Sequence, residues 1–393
     1  MATDSPPHTR QRWSLNSRAT RGVLFQILAL LVVALAVGFL SHNTQVNMAA
    51  RGIPSGFDFL EAPAGFDIGE TVIAYDPSQS YARAIGVGVL NTLKVALLGI
   101  VLTTLIGVLV GVGRFSRNGL VRGLCYGYVE LFRNIPVLLQ LLMWYLFMLE
   151  VLPPSNEALQ FWGLFFLSKG GFSMPWPSPG VGWSWVLLGA TLGLVAAVVW
   201  RRRMLQRFEQ TGQEGDRLWT PLALVLLLAV VGWLVGGMPT AWSVPEQLAF
   251  MVEGGASATP EFMTVLVGLV TYTAAFVAEV VRSGIQSVSR GQTEAASALG
   301  LNPRQTMRLV VLPQALRVII PPMTNQYLNL TKNSSLAVAV GYPDVVSVAN
   351  TTINQSGRAV ECIAIIMVVY LSTSLSTSVF MNWYNARSAI KER

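Results

Sequence analysis

Apolar residues along this chain gather into eight long runs separated by polar stretches. The runs cover residues 23–40, 91–113, 137–152, 181–200, 218–238, 262–281, 318–340 and 362–383. A transmembrane helix needs about 20 mostly apolar residues, and each run is near that length. The pattern predicts an all-α polytopic membrane protein with about eight transmembrane helices.

Composition supports the same class. Of the 393 residues, 52% are hydrophobic and 12% are charged, whereas soluble domains carry about 25% charged residues. The two cysteines, Cys125 and Cys362, and the two histidines, His8 and His42, predict neither a disulfide framework nor a metal site.

Basic residues divide unevenly between the two sides of the predicted bundle. With both termini inside, only Arg51, Arg83, Lys169 and Arg358 fall in external loops. About twenty basic residues then lie inside, as the positive-inside rule requires. We therefore expect both termini in the cytoplasm, and we interpret the net charge of +7 as a topological signal, with no nucleic-acid partner.

The N-terminal part is predicted to be a basic tail followed by an uncleaved membrane anchor. Residues 1–21 are polar and hold four arginines, Arg10, Arg12, Arg18 and Arg21. A cleaved signal peptide is the alternative, but the run 23–40 is longer than a usual signal core and no small-x-small cleavage site ends it. Residues 41–84 then predict an external loop, and the sequence assigns it no chemistry.

A stripe of small residues marks the second run. Thr103, Gly107 and Gly111 recur every four residues, which favours close approach of another helix. In the run after it, Pro136 predicts a kink or a helix start.

The polar segment 294–313, EAASALGLNPRQTMRLVVLP, lies between two predicted spans. Gly300 predicts a helix stop, and Asn302-Pro303 predicts a new helix start. Pro313 is expected to end the second helix. An amphipathic linker on the bilayer surface is the alternative, but such a linker needs no stop and restart. The corner therefore favours a two-helix knob that a soluble partner can bind.

This segment resembles the EAA loop of permease subunits in bacterial ABC importers. Glu294-Ala295-Ala296, Gly300, Val310 and Leu312-Pro313 match its motif, with Val310 in place of the usual Ile. Further blocks resemble the polar amino-acid (histidine/glutamine permease) branch of that family: NTLKVALLG at 91–99, YVELFRNIPVLLQLL at 128–142, AEVVRSGIQSVSRGQ at 278–292, LPQALRVIIPP at 312–322 and LTKNSSLAVAVGYPD at 330–344. The loop RGIPSGFDFL…GFDIGE and the insertion resemble, more narrowly, the Q-type permease of general L-amino-acid transporters.

The resemblance implies a type I ABC importer permease with a core of five helices, an N-terminal helix and a two-helix insertion. Its parts would be residues 1–84 (tail, first helix and external loop), 85–154 (first part of the core), 155–260 (insertion) and 261–393 (second part of the core, with the coupling loop 286–317). Arginines 201–203, between the insertion's two apolar runs, suit either a cytoplasmic hairpin or anionic lipid.

The resemblance also implies partners. These are two copies of a cytoplasmic ABC ATPase, a second homologous permease subunit, a periplasmic amino-acid-binding protein and the lipid of the bacterial inner membrane. The residues expected to contact the ATPase are Glu294, Ala295, Ala296, Gly300, Asn302, Pro303, Leu312 and Pro313. The sequence contains no Walker-type phosphate loop, so ATP and Mg²⁺ are expected on the ATPase and no cofactor on this chain.

Polar residues inside spans are costly and are therefore candidates for function. Those to weigh for a substrate pathway are Asn325, Asn329, Lys332, Glu279 and Lys94. Glu279 and Lys94 lie near predicted span ends, where an ion pair or snorkelling also explains them. Two other classes of function stay open at this point: an ATP-independent channel or ion-coupled carrier, and an intramembrane enzyme. Both histidines lie outside the spans, which disfavours the enzyme.

Overall fold

The structure is a computed structural model, and it describes residues 18–52, 55–178, 180–212, 215–216 and 218–388. Most of the predicted basic tail and the chain end, with Lys391 and Arg393, lie outside these ranges. The chain is mostly helical, as predicted. The helices are α1 (Arg18–Ala50), α2 (Tyr81–Gly113), α3 (Gly119–Asn134), α4 (Val137–Leu146), α5 (Val181–Thr211), α6 (Trp219–Val235), α7 (Pro260–Gln286), α8 (Arg290–Ala298), α9 (Pro303–Gln305), α10 (Leu312–Asn333), α11 (Val345–Ser356) and α12 (Ala359–Ser388).

The candidate spans agree with the predicted number of helices. Within the described residues, five helices are long and apolar enough to cross a membrane, and two bent helix pairs raise that number to seven. The 17-residue α6 is a further apolar helix. A polytopic helical membrane protein is therefore confirmed, with five to seven candidate spans in the described part of the chain and α6 beside them.

The centre of the bundle is the packing of α2 against α7. Thr103, Gly107 and Gly111 of α2 are buried. A Cβ atom built on Gly107 would lie 2.4 Å from Val277 Cγ1, and one built on Gly111 would lie 2.8 Å from the Ala278 carbonyl. The predicted small-residue stripe is thus confirmed, and its partner helix is α7.

Helices α3 and α4 meet at a sharp elbow. Pro136 precedes α4, and Ile135 before it is extended (φ −101°, ψ 128°), because a residue followed by proline avoids the helical region. The two helices bend by 106° across this break. The buried Gln140 amide donates hydrogen bonds of 2.8 Å to the carbonyls of Phe132 and Ile135, which would otherwise be left unpaired at the helix end.

The region predicted as external loop 41–84 is a folded cap over one end of the bundle. α1 continues to Ala50, and α2 begins at Tyr81. Between them, Phe59, Ala64 and Ile68 are buried with residues of α2, α11 and α12. The cap is also tied to the bundle by charge, since Arg358 donates to Asp58 at 3.0 Å.

The insertion contains short strands in addition to its two helices. α5 and α6 pack against each other through glycines: Cβ atoms on Gly189 and Gly232 would lie 2.1 and 2.2 Å from backbone oxygens of the facing helix. Asp216 precedes α6 and accepts bonds from the amides of residues 218–220. These bonds, the one from Leu218 foremost, lower the pKa of Asp216 to about 2.

Beside this hairpin lie short antiparallel sheets that were not predicted. One has the strand order β1-β2-β3-β8, and two further pairs are β4-β5 and β6-β7. The strands are β1 (Leu159–Phe161), β2 (Phe165–Ser168), β3 (Gly171–Met174), β4 (Trp176–Pro177), β5 (Trp242–Ser243), β6 (Glu246–Gln247), β7 (Val252–Glu253) and β8 (Ala256–Ala258). The description all-α therefore holds for the bundle, and the insertion adds a small β structure.

Two further segments differ from the sequence prediction. Pro321 and Pro322 predict an interruption of the run 318–340, but helix α10 runs through both without a break. The missing amide of Pro322 removes the helical donor for the carbonyl of Val318, an exposed residue. Residues 341–358, predicted as a loop, contain helix α11, which Asp344 caps by accepting from the Ser347 amide.

Candidate functional site

The polar segment between α7 and α10 folds into the predicted corner. α8 ends at Ala298, and Gly300, two residues later, has a positive φ of 77°. The amides of Gly300 and Leu301 donate to the carbonyls of Ser297 and Ala296 at 3.0 and 3.1 Å, the bond pair of a Schellman ending. The chain then restarts at Asn302, whose side chain and backbone exchange hydrogen bonds with Gln305 in a capping box. The corner is therefore fixed by local hydrogen bonds on both sides.

The second helix of the corner continues directly into α10, which corrects the stop predicted at Pro313. Residues Thr306–Val311 form a π-helical segment in which the Leu312 amide donates to the Met307 carbonyl. This wider turn accommodates Pro313, which has no amide to donate and lies in the first turn of α10. The backbone is helical from Pro303 to Asn333.

Most of the predicted docking residues are exposed on the corner. Glu294, Ala295, Gly300, Asn302, Pro303 and Leu312 are exposed, and Pro313 is half-buried. Apolar side chains lie among them, with Leu299 82% exposed and Leu309 61% exposed. Ala296 is buried, so it can support docking only by packing α8 against the π-helical segment, with which α8 is in contact.

One face of α10 carries exposed polar side chains. Asn325, Asn329 and Lys332 follow each other at spacings of four and three residues, so they share a face. All three are exposed in this chain. Because such groups are costly in lipid, this face requires water or a polar protein neighbour.

A cavity of about 300 Å³ lies between this face and α7. Asn329 lines it, and Asn325 and Lys332 do not. Its lining residues are Tyr272, Thr273, Phe276, Gln326, Asn329 and Asn333. Thr273 is 2% exposed, and its hydroxyl has no hydrogen-bond partner among the described residues. The cavity thus offers amide groups to a polar solute, and the unpaired Thr273 hydroxyl lies buried beside it.

Lys94 belongs to a different place, under the cap. Its ammonium forms an ion pair with Glu70 and lies 4.0 Å from the centre of the Phe262 ring. Glu70 also accepts from the Thr259 hydroxyl. Lys94 therefore joins the cap to α2 and α7, which fits the structural explanation weighed from the sequence.

Glu279 lies towards the end of the bundle that carries the corner. Its carboxylate accepts from Arg114 at 2.5 Å and from Arg282 Nε at 3.1 Å. Lys94 is on α2 and Arg114 directly follows that helix, twenty residues later, which corresponds to about 30 Å along a helix. The structure thus separates Lys94 and Glu279 from each other, and both are engaged in ion pairs.

Sequence reasoning missed the partners of these charges. Glu70 lies in the cap, and Arg114 follows α2. A hydropathy pattern reveals a charged residue inside a span, but not its ion-pair partner, because the partner lies in a distant segment of the chain. Among the described residues, no three His, Cys, Asp or Glu side chains are grouped so that they could hold a metal ion.

Comparison with known proteins identifies the family. The family described as "Binding-protein-dependent transport system inner membrane component" matches residues 186–389. This covers more than half of the chain. The chain belongs to this family. It is accordingly an inner-membrane transport component, and the corner at Gly300 lies within the matched region.

Relatives that match this chain over nearly the full length of both proteins come from several bacteria. The chain is 46% identical over 100% of its length to "General L-amino acid transport system permease protein AapQ" of Rhizobium johnstonii, covering 99% of that protein. It is 45% identical to "Putative amino-acid ABC transporter permease protein YhdX" of Escherichia coli, over 97% of each chain. It is 39% identical over 100% of each chain to "Glutamate/glutamine/aspartate/asparagine transport system permease protein BztB" of Rhodobacter capsulatus.

Proposed function

We propose that this chain is a permease subunit of an ATP-driven importer and forms half of a pathway for L-amino acids. The observation that carries the proposal is the corner at Gly300, an exposed and capped two-helix surface continuous with a span. The substrate class rests on the names of the relatives, which include general L-amino-acid and acidic and amide amino-acid permeases. Broad specificity, polar and charged amino acids included, is the form we propose.

The corner is proposed as the docking surface for a cytoplasmic ATPase. Residues Glu294, Ala295, Gly300, Asn302, Pro303 and Leu312 offer an exposed surface, while Ala296 and Pro313 support it from below. ATP binding would bring two ATPase copies together and move the corner. Since the backbone is helical from Pro303 to Asn333, that movement would pass to the polar face without an intervening loop.

The polar face of α10 is proposed as this chain's side of the pathway. Asn325, Asn329 and Lys332 would face a second, homologous permease subunit across a water-filled passage. Amide and hydroxyl groups of the cavity beside Asn329 could pair with the carboxylate and ammonium of an amino acid. Glu279 and Lys94 are not proposed as substrate ligands, because ion pairs occupy them.

The orientation follows from the same assignment. Docking of an ATPase puts the corner in the cytoplasm, together with both chain termini and the arginines at 201–203. The cap over the opposite end of the bundle would then face the periplasm and a binding protein that delivers the amino acid. Residues 85–154 and 261–393 would form the core. The hairpin of α5 and α6 would be peripheral, since its two helices pack chiefly against each other.

The test is a pair of substitutions at the corner, Glu294→Lys and Gly300→Asp. Both should abolish ATP-dependent uptake in proteoliposomes containing the whole importer, while the subunit still inserts. Glu294→Lys reverses an exposed charge at the docking surface. Gly300→Asp forces a side chain into a left-handed conformation that costs about 1–2 kcal/mol.

A matched control is Gly357→Asp. Gly357 also has a positive φ (71°), and a Cβ atom added to it would meet no atom within 4 Å. It follows the end of α11, under the cap. It should carry the same backbone strain without loss of coupling. Normal uptake with either corner variant would contradict the proposal, and uptake into liposomes holding only this chain would indicate a channel or carrier.

A further inference from the structure

Around Glu279, cationic groups outnumber the carboxylate. Arg114 and Arg282 hydrogen bond to it, and the guanidinium of Arg133 lies 3.9 Å away. Three guanidiniums therefore surround one carboxylate, which leaves a formal surplus of two positive charges (3 − 1 = 2). Glu130, also on α3, is exposed and forms no ion pair within the described residues.

Two of the three guanidiniums lie over aromatic rings, in cation–π contacts that restrict their positions. The guanidinium carbon of Arg114 lies 5.1 Å from the centre of the Tyr126 ring, and that of Arg133 lies 5.4 Å from the Phe276 ring. Arg133 remains 37% exposed and Arg282 27% exposed, whereas Arg114 is 9% exposed. Because Arg282 bonds to both carboxylate oxygens of Glu279 and to Gln286, the surplus charge is presented outward chiefly by Arg133.

Helix α3 carries Arg133 of this cluster and lies at a steep angle to α4. α3 bends by 106° from α4, so it runs almost in the membrane plane if α4 crosses the membrane. Its inner side is anchored on α7, with Val129 fully buried and the Tyr128 hydroxyl donating to the Thr271 carbonyl at 2.7 Å. On its outer side Leu120 and Leu124 are 71% and 67% exposed. An amphipathic helix of this kind lies at the boundary between headgroups and acyl chains.

We propose that the cluster of Arg114, Arg133 and Arg282 binds the phosphate of an anionic phospholipid, whose acyl chains lie along the exposed leucines of α3. A phosphate diester brings one negative charge and several acceptor oxygens, which match guanidinium donors. The apolar surface beside the cluster favours a lipid over a free phosphate. The site is separate from the arginines at 201–203, and it goes beyond the transport function proposed above.

The test measures lipid retained by the purified importer complex. The complex is placed in nanodiscs of phosphatidylcholine doped with phosphatidylglycerol or with an equal amount of phosphatidylethanolamine, then extracted, and its bound lipids are counted by native mass spectrometry. Phosphatidylglycerol should be enriched on the wild-type complex. Arg133→Gln should weaken this binding about five-fold, the value of one basic residue near a lipid surface.

Two further variants separate charge from folding. Arg133→Lys keeps the charge and should keep most of the binding, while Glu279→Gln removes the competing carboxylate and should increase it. Arg51→Gln removes an exposed arginine at the opposite end of the bundle and should change nothing. Equal retention of phosphatidylglycerol by Arg133→Gln and the wild type would overturn the proposal. If that variant instead loses its ATPase subunits with lipid binding intact, the cluster is a protein contact and the proposal is wrong.

Discussion

At Gly107 the absence of a side chain sets how closely two spans can approach. Val277 Cγ1 and the Ala274 carbonyl lie within 2.4 and 3.0 Å of where a Cβ atom would be. A backbone carbonyl cannot rotate away as a flexible side chain can. The α2–α7 packing therefore leaves no room for a side chain at this position.

Gly107→Ala should destabilise the folded subunit by about 1–3 kcal/mol, the usual cost of overpacking a core. The measurement is thermal unfolding of the detergent-solubilised importer, followed by loss of monodisperse complex. Gly86→Ala on the same helix is the matched control, because no atom lies within 4 Å of its added Cβ. It should be neutral, or stabilising by about 0.5–1 kcal/mol, because alanine favours helix. Equal melting temperatures for the two variants would contradict this account of the α2–α7 contact.

At the scale of elements, the elbow between α3 and α4 depends on one amide. Gln140 is 1% exposed and bonds to two carbonyls at the end of α3. The elbow holds Arg133 beside Glu279 and keeps α3 at a steep angle to α4. Loss of this amide leaves two carbonyls unpaired next to a membrane span.

Gln140→Leu should cost about 1–3 kcal/mol for each carbonyl that loses its partner. Hydrogen exchange across residues 130–138 should rise, and the complex should melt at a lower temperature. Gln45→Leu makes the same change at an exposed position on α1 and should alter neither quantity. Unchanged exchange at the elbow in Gln140→Leu would show that Pro136 alone sets the angle.

The elements differ in how far the sequence could predict them. The corner at Gly300 and the stripe at Gly107 were predictable because a few local residues determine each. Gln140 was not, since an amide inside an apolar run does not reveal which carbonyls it meets. The strands of the insertion have two to four residues, too few for an alternating pattern to be visible.

The parts of the candidate site also differ in how far the sequence could predict them. Asn325, Asn329 and Lys332 could be placed on one face from their spacing alone. The cavity could not, because it needs Tyr272 and Thr273 of α7 opposite Asn329, and their proximity depends on how α7 packs against α10. Likewise, Pro321 and Pro322 looked like a break, although α10 continues through both.

For the whole molecule, the two ends of the bundle have different construction. One end carries the corner and the arginine cluster, and the other carries the cap with Lys94 paired to Glu70. If an ATPase binds the corner, cap and corner must lie on opposite sides of the membrane. This orientation is independent of which amino acids are carried, and it can be tested on its own.

Single cysteines introduced at the two ends should react from opposite sides. In a variant without Cys125 and Cys362, Thr71→Cys in the cap should react with a membrane-impermeant maleimide in cells whose outer membrane alone is permeable. Ser297→Cys at the corner should react only after the inner membrane is opened, and less when ATPase subunits are bound. Both target positions are exposed, so accessibility of the side chain does not limit the reaction. The reverse labelling pattern would place the corner in the periplasm and exclude it as the cytoplasmic docking surface. It would also contradict the orientation predicted from the charges of the loops.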